Sequence, residues 1–442
     1  MTARREIVVV GAGSSGCVVA ERLSRSGADS VVLVEAGGPA PEPVDLSVLP
    51  VRDGARVWHH RDTEGTELPR GRGVGGSSAV NGGYFLRPHR DDLAAWDPDL
   101  WGIPAVERAF DTLDGGAGGG GVMTVRRFTD DELHPRAVAF ERAMRADGHV
   151  DVDGVWPEPG IVRVRTNARG RHRTTAADAF LADARHRRDL LIRNDVRVER
   201  IEMNDATVRS VVTDSGERIP ADVVVLCAGT LATAGILHRS GSVPVVVPLA
   251  EHRELLVRCR ARGDDGDVSP VLQSVMHTDD GMEIRCYSHD FAAHITGLEQ
   301  TGPAIGVAAM RPGSAGSIRF DADGGAPEVD LGRPDDETRQ RMQVWAERMA
   351  TVLDGPAFAH LVAPGSVTVD DRLATSHHAW GTAPMGGGPT GVGTDWRGRV
   401  VDHDGLYVAD GSVLPTPLSS GPHATVMMVA SVIADRIGRE RD

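Results

Sequence analysis

The chain opens on an unbroken apolar run, residues 6–10, then a glycine-rich turn and a stretch, residues 15–24, in which Val18, Val19 and Leu23 recur at helical spacing. A second apolar run, residues 30–34, stops on Glu35. Runs that are apolar on both faces predict strands of a parallel sheet, and strand, turn, helix, strand is a βαβ unit. The pattern returns at residues 222–227, which lead through Ala228-Gly229 into helical spacing over 231–238. It returns again at the end, where 405–410 predicts a strand and 424–437 an apolar helix. Between these pieces, 135–146 and 176–184 have helical spacing and 190–201 alternates like strands. Residues 245–369 read as strands and turns around one helix, 335–352. The stretch 37–69 is irregular and proline-rich, and the glycine run 115–121 predicts a flexible connection without side chains to pack. Nucleotide-fold pieces thus alternate with pieces of a second, mixed unit, and both domains are expected to be discontinuous.

Gly11-x-Gly13-x-x-Gly16 falls between the first strand and its helix, where glycines let the main chain approach a pyrophosphate seated on the helix N-terminus. Glu35, about 20 residues on, is placed to accept from ribose hydroxyls. The expected cradle comprises Gly11, Gly13, Ser14, Ser15, Gly16, Glu35 and Ala36. These residues predict a dinucleotide but leave FAD and NAD both open. A second glycine-dense block, Arg70 to Phe85, is suited to lie along a flat ring system and its phosphates.

Composition narrows the partners. A 442-residue chain with 40% hydrophobic residues can bury a large core, and a formal charge of -15 disfavours nucleic acid and anionic lipid. All 48 basic residues are arginine, which removes every mechanism built on a lysine. Cys17, Cys227, Cys259 and Cys286 are scattered without metal-ligand spacing, so no metal is expected and a reduced, cytoplasmic protein is the simplest reading. The apolar run after Arg4-Arg5 is too short for a signal peptide, and no segment has the length of a membrane span.

Four segments, in order, resemble the glucose-methanol-choline (GMC) oxidoreductase family. Arg70-Gly-Arg-Gly-Val-Gly-Gly-Ser-Ser-Ala-Val-Asn-Gly82 is similar to its first signature and residues 225–233 to its second. Arg311-Pro-Gly-Ser-Ala-Gly-Ser-Ile318 and Gly405-Leu-Tyr-Val-Ala-Asp-Gly-Ser-Val-Leu-Pro415 are similar to two later segments. The resemblance implies an α/β fold in which a Rossmann-type FAD-binding domain (1–90, 155–245 and 395–442) is interleaved with an α+β substrate-binding domain (91–154 and 246–394), an antiparallel sheet with flanking helices. It implies FAD, with Arg70, Gly75, Gly76, Ser77, Ser78, Asn81 and Gly82 along the flavin, Val198 near the adenine, and Ala228, Gly229, Asp410, Gly411, His423, Ala424 and Thr425 around the cofactor. Members that attach FAD covalently carry a histidine where this chain has Val80, so the FAD is expected to dissociate.

His378-Ala-Trp-Gly-Thr382 is similar to the family's H-x-x-G-T, and His423 follows Gly421-Pro422 at its second catalytic position. Alcohol oxidation needs the hydroxyl proton removed and hydride accepted by flavin N5, and a neutral imidazole suits the first task. His378 is accordingly expected as general base and His423 as the donor that steadies the developing alkoxide. His377, its neighbour, is expected to point away, and Met427 and Met428 to pack in a helix. Within the family, residues 73–85, 376–386 and 421–425 are most similar to mycofactocin-associated dehydrogenases. That implies reduced mycofactocin as the alcohol and delivery of electrons to the respiratory chain, by peripheral contact at the inner face of the membrane. A small-alcohol oxidase using oxygen and a non-catalytic flavin-binding redox partner are the alternatives. Two departures weaken the pocket: Leu249-Ala-Glu-His-Arg253 matches the family's D-H segment loosely, and the glycine run replaces a usual H-G-x-x-G.

Overall fold

A computed structural model describes residues 4–42, 44–263, 266–313, 315–321, 325–387 and 393–440. Ser314 of the third family-like segment lies outside the described residues.

The apolar runs form one five-stranded, all-parallel sheet in the order Leu190–Arg193, Ser30–Val34, Glu6–Val10, Val223–Leu226, Leu406–Val408. Val-rich runs such as Ile7 to Val9 and Val224 to Leu226 are completely buried, as both faces of a parallel sheet must be. Helices Ser14–Leu23 and His423–Arg439 pack against each other over this core. Three distant parts of the chain therefore build one layer, and the last strand and helix close it.

The second unit is an eight-stranded sheet. Its main path runs Thr368–Val369, Arg253–Arg258, Ala304–Ala309, Met282–Tyr287, Leu272–His277, Gly160–Arg163, Asp151–Val152, and Ala374–Thr375 pairs beside Arg253–Arg258. Period-two alternation divides its faces. Leu255, Val257, Ile284, Cys286, Ile305 and Val307 meet helices Pro135–Ala146 and Asp336–Leu353 through Phe140, Met144, Met342 and Met349. The opposite face carries Glu254, Glu283, Arg285 and Tyr287, all buried.

The chain departs from the expected pattern in four places. Strand Gly160–Arg163 pairs with Leu272–His277, so the expected boundary at 155 falls before a strand of the second sheet. Helix Ile103–Asp114, expected with that second unit, instead sends Val106, Phe110 and Leu113 into the core of the parallel sheet. Within the stretch 37–69 the strand Val57–Arg61 begins a hairpin with Glu67–Gly71. The glycine run is a tight turn with contacts of its own: a Cβ on Gly121 would lie 2.3 Å from the Gly115 nitrogen. Arg165 donates to the Gly116 carbonyl there, and the fully buried Arg87 pairs with Asp114 beside it.

Candidate active site

The cradle is built by close main-chain approach. A Cβ on Gly16 would sit 1.8 Å from the Gly11 carbonyl oxygen, and one on Gly11 2.6 Å from that of Cys227, so only glycine lets helix and strands meet there. Gly13 caps Ser14–Leu23 with no side-chain acceptor, leaving the first N–H groups, at Ser14 and Ser15, for a ligand. Gly76, at φ 51°, packs onto this turn: its Cβ would lie 2.6 Å from Gly13 Cα, and Gly75 N–H donates to the Ala12 carbonyl at 2.8 Å. The two glycine blocks are thus one surface.

Several expected contact residues are occupied by the fold itself. The Glu35 carboxylate accepts N–H donors from Ala12 (2.8 Å), Gly37 (2.8 Å) and Gly73 (2.9 Å), tying the two glycine blocks together. Its Oε2 takes only one of these and keeps a lone pair for a ribose hydroxyl. Ser78, fully buried, donates to the Gly75 carbonyl at 2.6 Å and accepts from Ala176 N–H at 2.9 Å, a joint of the cradle with no spare hydrogen. Ser77 Oγ accepts from Gly71 N–H at 3.1 Å. Asp410 accepts from Gly229 N–H at 2.8 Å, Thr233 Oγ1 at 2.5 Å and Ser412 N–H at 2.9 Å, and burial raises its pKa above the usual carboxylate value. It holds Ala228-Gly229 and Gly411 together: a Cβ on Gly411 would meet Thr230 Oγ1 at 2.9 Å. Ala36 lends its carbonyl to Arg72, and Val198 is buried two residues beyond Val196, whose N–H donates to the Glu35 carbonyl. Arg70 stands 4.0 Å from Glu251, and Gly82 lies against Val271.

His378 lies beside Gly421, two residues before His423, and the two histidines are held by different elements. His423 is the first residue of the terminal helix, edge-on to Phe85 with ring centroids 5.3 Å apart. Asn81 Oδ1 accepts from Gly83 N–H, so the Asn81 amide N–H₂ faces His423 Nδ1, at 3.3 Å. A donor there makes Nδ1 the lone pair and puts the proton of the neutral ring on Nε2, which is buried without a protein partner. Thr425 Oγ1 and Ser412 Oγ are likewise buried and unpartnered. A glycine cradle, an uncapped helix start and these unpaired donors fit a bound dinucleotide with a ring system beside them.

His378 rides on an irregular segment pinned from two sides. His377 takes a left-handed conformation, φ 60°, and is exposed. His378 N–H donates to Glu251 Oε1 at 2.8 Å and its Nδ1 lies 2.9 Å from His252 Nδ1. Trp380 exchanges both main-chain hydrogen bonds with Ala250. A Cβ on Gly421 would be 3.4 Å from His378 Cε1 and 3.0 Å from the Tyr84 ring, so the missing side chain leaves the space these rings border, two residues from His423. Burial, reinforced by His252 and Arg285, lowers the His378 pKa well below 6.5, and burial lowers that of His423 to about 4. Both rings are neutral at pH 7.

The polar face of the eight-stranded sheet stands behind them. Tyr84 donates to Glu283 at 2.6 Å, Arg285 donates to Glu283 at 2.6 Å, to Glu254 at 3.2 Å and to Ser376 Oγ at 2.6 Å, and Tyr287 donates to Glu254 at 2.7 Å. Gly306 makes room: its Cβ would overlap Glu254 Oε1 at 1.6 Å. Sequence reasoning passed over this wall, although its signal is present in the alternation Met282-Glu-Ile-Arg-Cys-Tyr287. It also passed over Glu251 and His252, set aside as a loose match, which the fold brings to His378.

The chain matches the GMC oxidoreductase family over residues 5–245 and 312–430. It is 32% identical to an uncharacterized GMC-type oxidoreductase of Rhodococcus erythropolis over 96% of both chains. It is 28% identical to the pyridoxine 4-oxidase of Microbacterium luteolum over 97% of this chain and 98% of that one. Among solved structures, pyridoxine 4-oxidase from Mesorbium loti superposes with a TM-score of 0.86 at 24% identity, covering 98% of this chain and 99% of that chain. A formate oxidase of Aspergillus oryzae does so with 0.84 at 19% identity, over 100% and 99%. On these matches the chain belongs to the GMC oxidoreductase family.

Proposed function

We propose that the protein is an FAD-dependent alcohol dehydrogenase in which the parallel-sheet unit holds dissociable FAD and the polar sheet face borders the alcohol. The observation that supports this is the neutral His378 ring bordering the space at Gly421, two residues before His423, whose ring is also neutral. Ser14 and Ser15 N–H groups would hold the pyrophosphate, Glu35 Oε2 the ribose, and Thr425 and the main chain of 75–82 the ring system. Bound FAD would supply the acceptor for the hydride that leaves the alcohol carbon. His378 takes the hydroxyl proton, and the Nε2–H of His423 donates to the same oxygen as negative charge grows on it. Val80, buried beside Val57 and Ala79, offers no atom for a covalent link to the cofactor.

The resemblance to mycofactocin-associated members supports reduced mycofactocin as the physiological alcohol and a respiratory carrier as the electron acceptor. Among the described residues no helix is long and apolar enough to cross a membrane, so delivery from the cytoplasmic side would be by peripheral contact. A second reading, an oxidase of a small alcohol, is favoured by the full-length similarity to pyridoxine 4-oxidase. The test is anaerobic addition of reduced mycofactocin, pyridoxine, choline or benzyl alcohol to FAD-loaded protein, followed by a dye or oxygen. Bleaching of the visible flavin band by mycofactocin, with reoxidation by dye and little peroxide, is expected. Bleaching by pyridoxine with stoichiometric peroxide would establish the second reading, and a flavin that no alcohol bleaches would contradict both.

A further inference from the structure

We propose, on the reading of His378 as the base, that Glu251 is a positioning residue whose side-chain oxygen stands in for a missing strand partner where the ladder opens to carry His378. Two antiparallel anchors bracket the opening. On one side Arg253 pairs with Thr375, and on the other Ala250 and Trp380 exchange both main-chain hydrogen bonds at 3.0 Å. Between the anchors two residues, Glu251 and His252, face four, Ser376 to Ala379. The extra residues form a bulge, the device by which a strand aims a side chain out of its regular alternation. His377, at φ 60°, takes up the turn, and His378 follows it.

A bulge takes N–H groups away from their ladder partners, and a buried N–H left unpaired is costly. In an unbroken antiparallel ladder His252 and Ser376 would exchange two bonds. One of them is made: Ser376 N–H donates to the His252 carbonyl at 3.0 Å. The other is replaced, because His252 N–H donates to Glu251 Oε1 at 2.9 Å. The same oxygen accepts His378 N–H at 2.8 Å. A single atom therefore closes the opening from both strands and fixes the main chain of His378 at the point where its ring reaches the space beside Gly421.

Reach, more than charge, is what this position requires. The Glu251 side chain is fully buried, and its other oxygen, Oε2, has no hydrogen-bond partner in the protein. Arg70 Nη2, likewise unpartnered, stands 4.0 Å from it. That separation is too long for a hydrogen bond but lets opposite charges attract where water is excluded. Arg70 thus offsets the buried charge from a distance, while the work on His378 is done by Oε1 alone. An amide oxygen at the end of an equally long side chain would supply the same acceptor.

The experiment compares Glu251→Gln, which keeps the reach and the accepting oxygen but drops the charge, with Glu251→Asp, which keeps the charge but is one carbon too short to serve both N–H groups. Hydrogen exchange of the His378 amide is read in ¹H–¹⁵N spectra of histidine-labelled, FAD-loaded protein, assigned with His378→Gln, and flavin reduction in a single turnover. The amide is expected to be protected in wild type and Glu251→Gln, and to exchange about tenfold faster in Glu251→Asp, the equivalent of one lost hydrogen bond. Flavin reduction should keep most of its rate in Glu251→Gln and fall by about 10² in Glu251→Asp, the cost of a reacting group displaced by about 1 Å. A His378 amide that is unprotected in wild type, equal reduction rates in all three proteins, or a larger loss in Glu251→Gln than in Glu251→Asp would each overturn the proposal. The expected exchange pattern in a protein whose flavin no alcohol bleaches would support the brace and contradict the reading of His378 as an alcohol base.

Discussion

The two sheets hold their parts of the site by opposite means. At the edge of the parallel sheet the close approaches are main chain to main chain, with Glu35, Ser78 and Asp410 binding peptide groups, and the decisive residues are those without side chains: Gly11, Gly16 and Gly76 let backbone touch backbone. On the eight-stranded sheet the decisive groups are long, charged and buried, with Glu283, Arg285, Glu254 and Tyr287 satisfying one another beneath His378. A cofactor common to a family is suited to a surface made of peptide groups, which changes little with side-chain identity. An alcohol is met by side chains, which can be replaced singly. One half of the site should therefore fail as a whole and the other by degrees.

The largest effect is expected from Gly76→Val. At φ 51° and with a Cβ 2.6 Å from Gly13 Cα, any side chain separates the two glycine blocks, so purified protein should carry little or no flavin by absorbance ratio. Full FAD occupancy would break the claim that the blocks form one surface. His423→Ala should keep FAD but slow flavin reduction by about 10²–10³, the usual cost of removing one donor to a developing oxyanion. Asn81→Leu, which leaves His423 in place but frees its tautomer, should cost less, about tenfold, in the same stopped-flow assay.

The pH dependence of stability sharpens the comparison, because the buried histidines gather around the second sheet and the site. The ordinary histidine pKa is 6.5; burial lowers His89 and His423 to about 4 and His252 to about 3. Between those values the unfolded chain binds protons that the folded chain excludes, so stability is fully present above pH 6.5 and is lost as the pH falls toward 4. Thermal melts of the holoenzyme should show the melting temperature falling across that interval, and less so in His89→Gln, which removes one such group. A flat profile from 6.5 to 4 would contradict neutral burial.

These contrasts also explain what could be read from the residues alone. Apolar runs such as Glu6–Val10 and Val223–Leu226 declare themselves because both faces are buried, and Gly11, Gly13 and Gly16 because their spacing serves one turn. Helix Asp336–Leu353 was legible from its period, but not the cap by which the Asp335 side chain accepts from Thr338 N–H. Glu251 and His252 were not, since nothing local says that residues 126 and more positions from His378 will share a carboxylate with it. Ser78 and Asp410 are legible as motif members, but not as residues whose hydrogen bonds go to the protein. The glycine run 115–121 misled because glycine permits a tight packed turn as readily as a loose one.

The most direct test of the account is single-turnover reduction of the FAD-loaded protein, comparing wild type with His378→Ala at neutral pH, using whichever alcohol of the panel bleaches the flavin. The account predicts that His378→Ala retains FAD and loses about 10²–10⁴ in the rate of bleaching, the range for a positioned general base. Equal rates in the two proteins would contradict it and leave His378 a structural residue of the GMC fold.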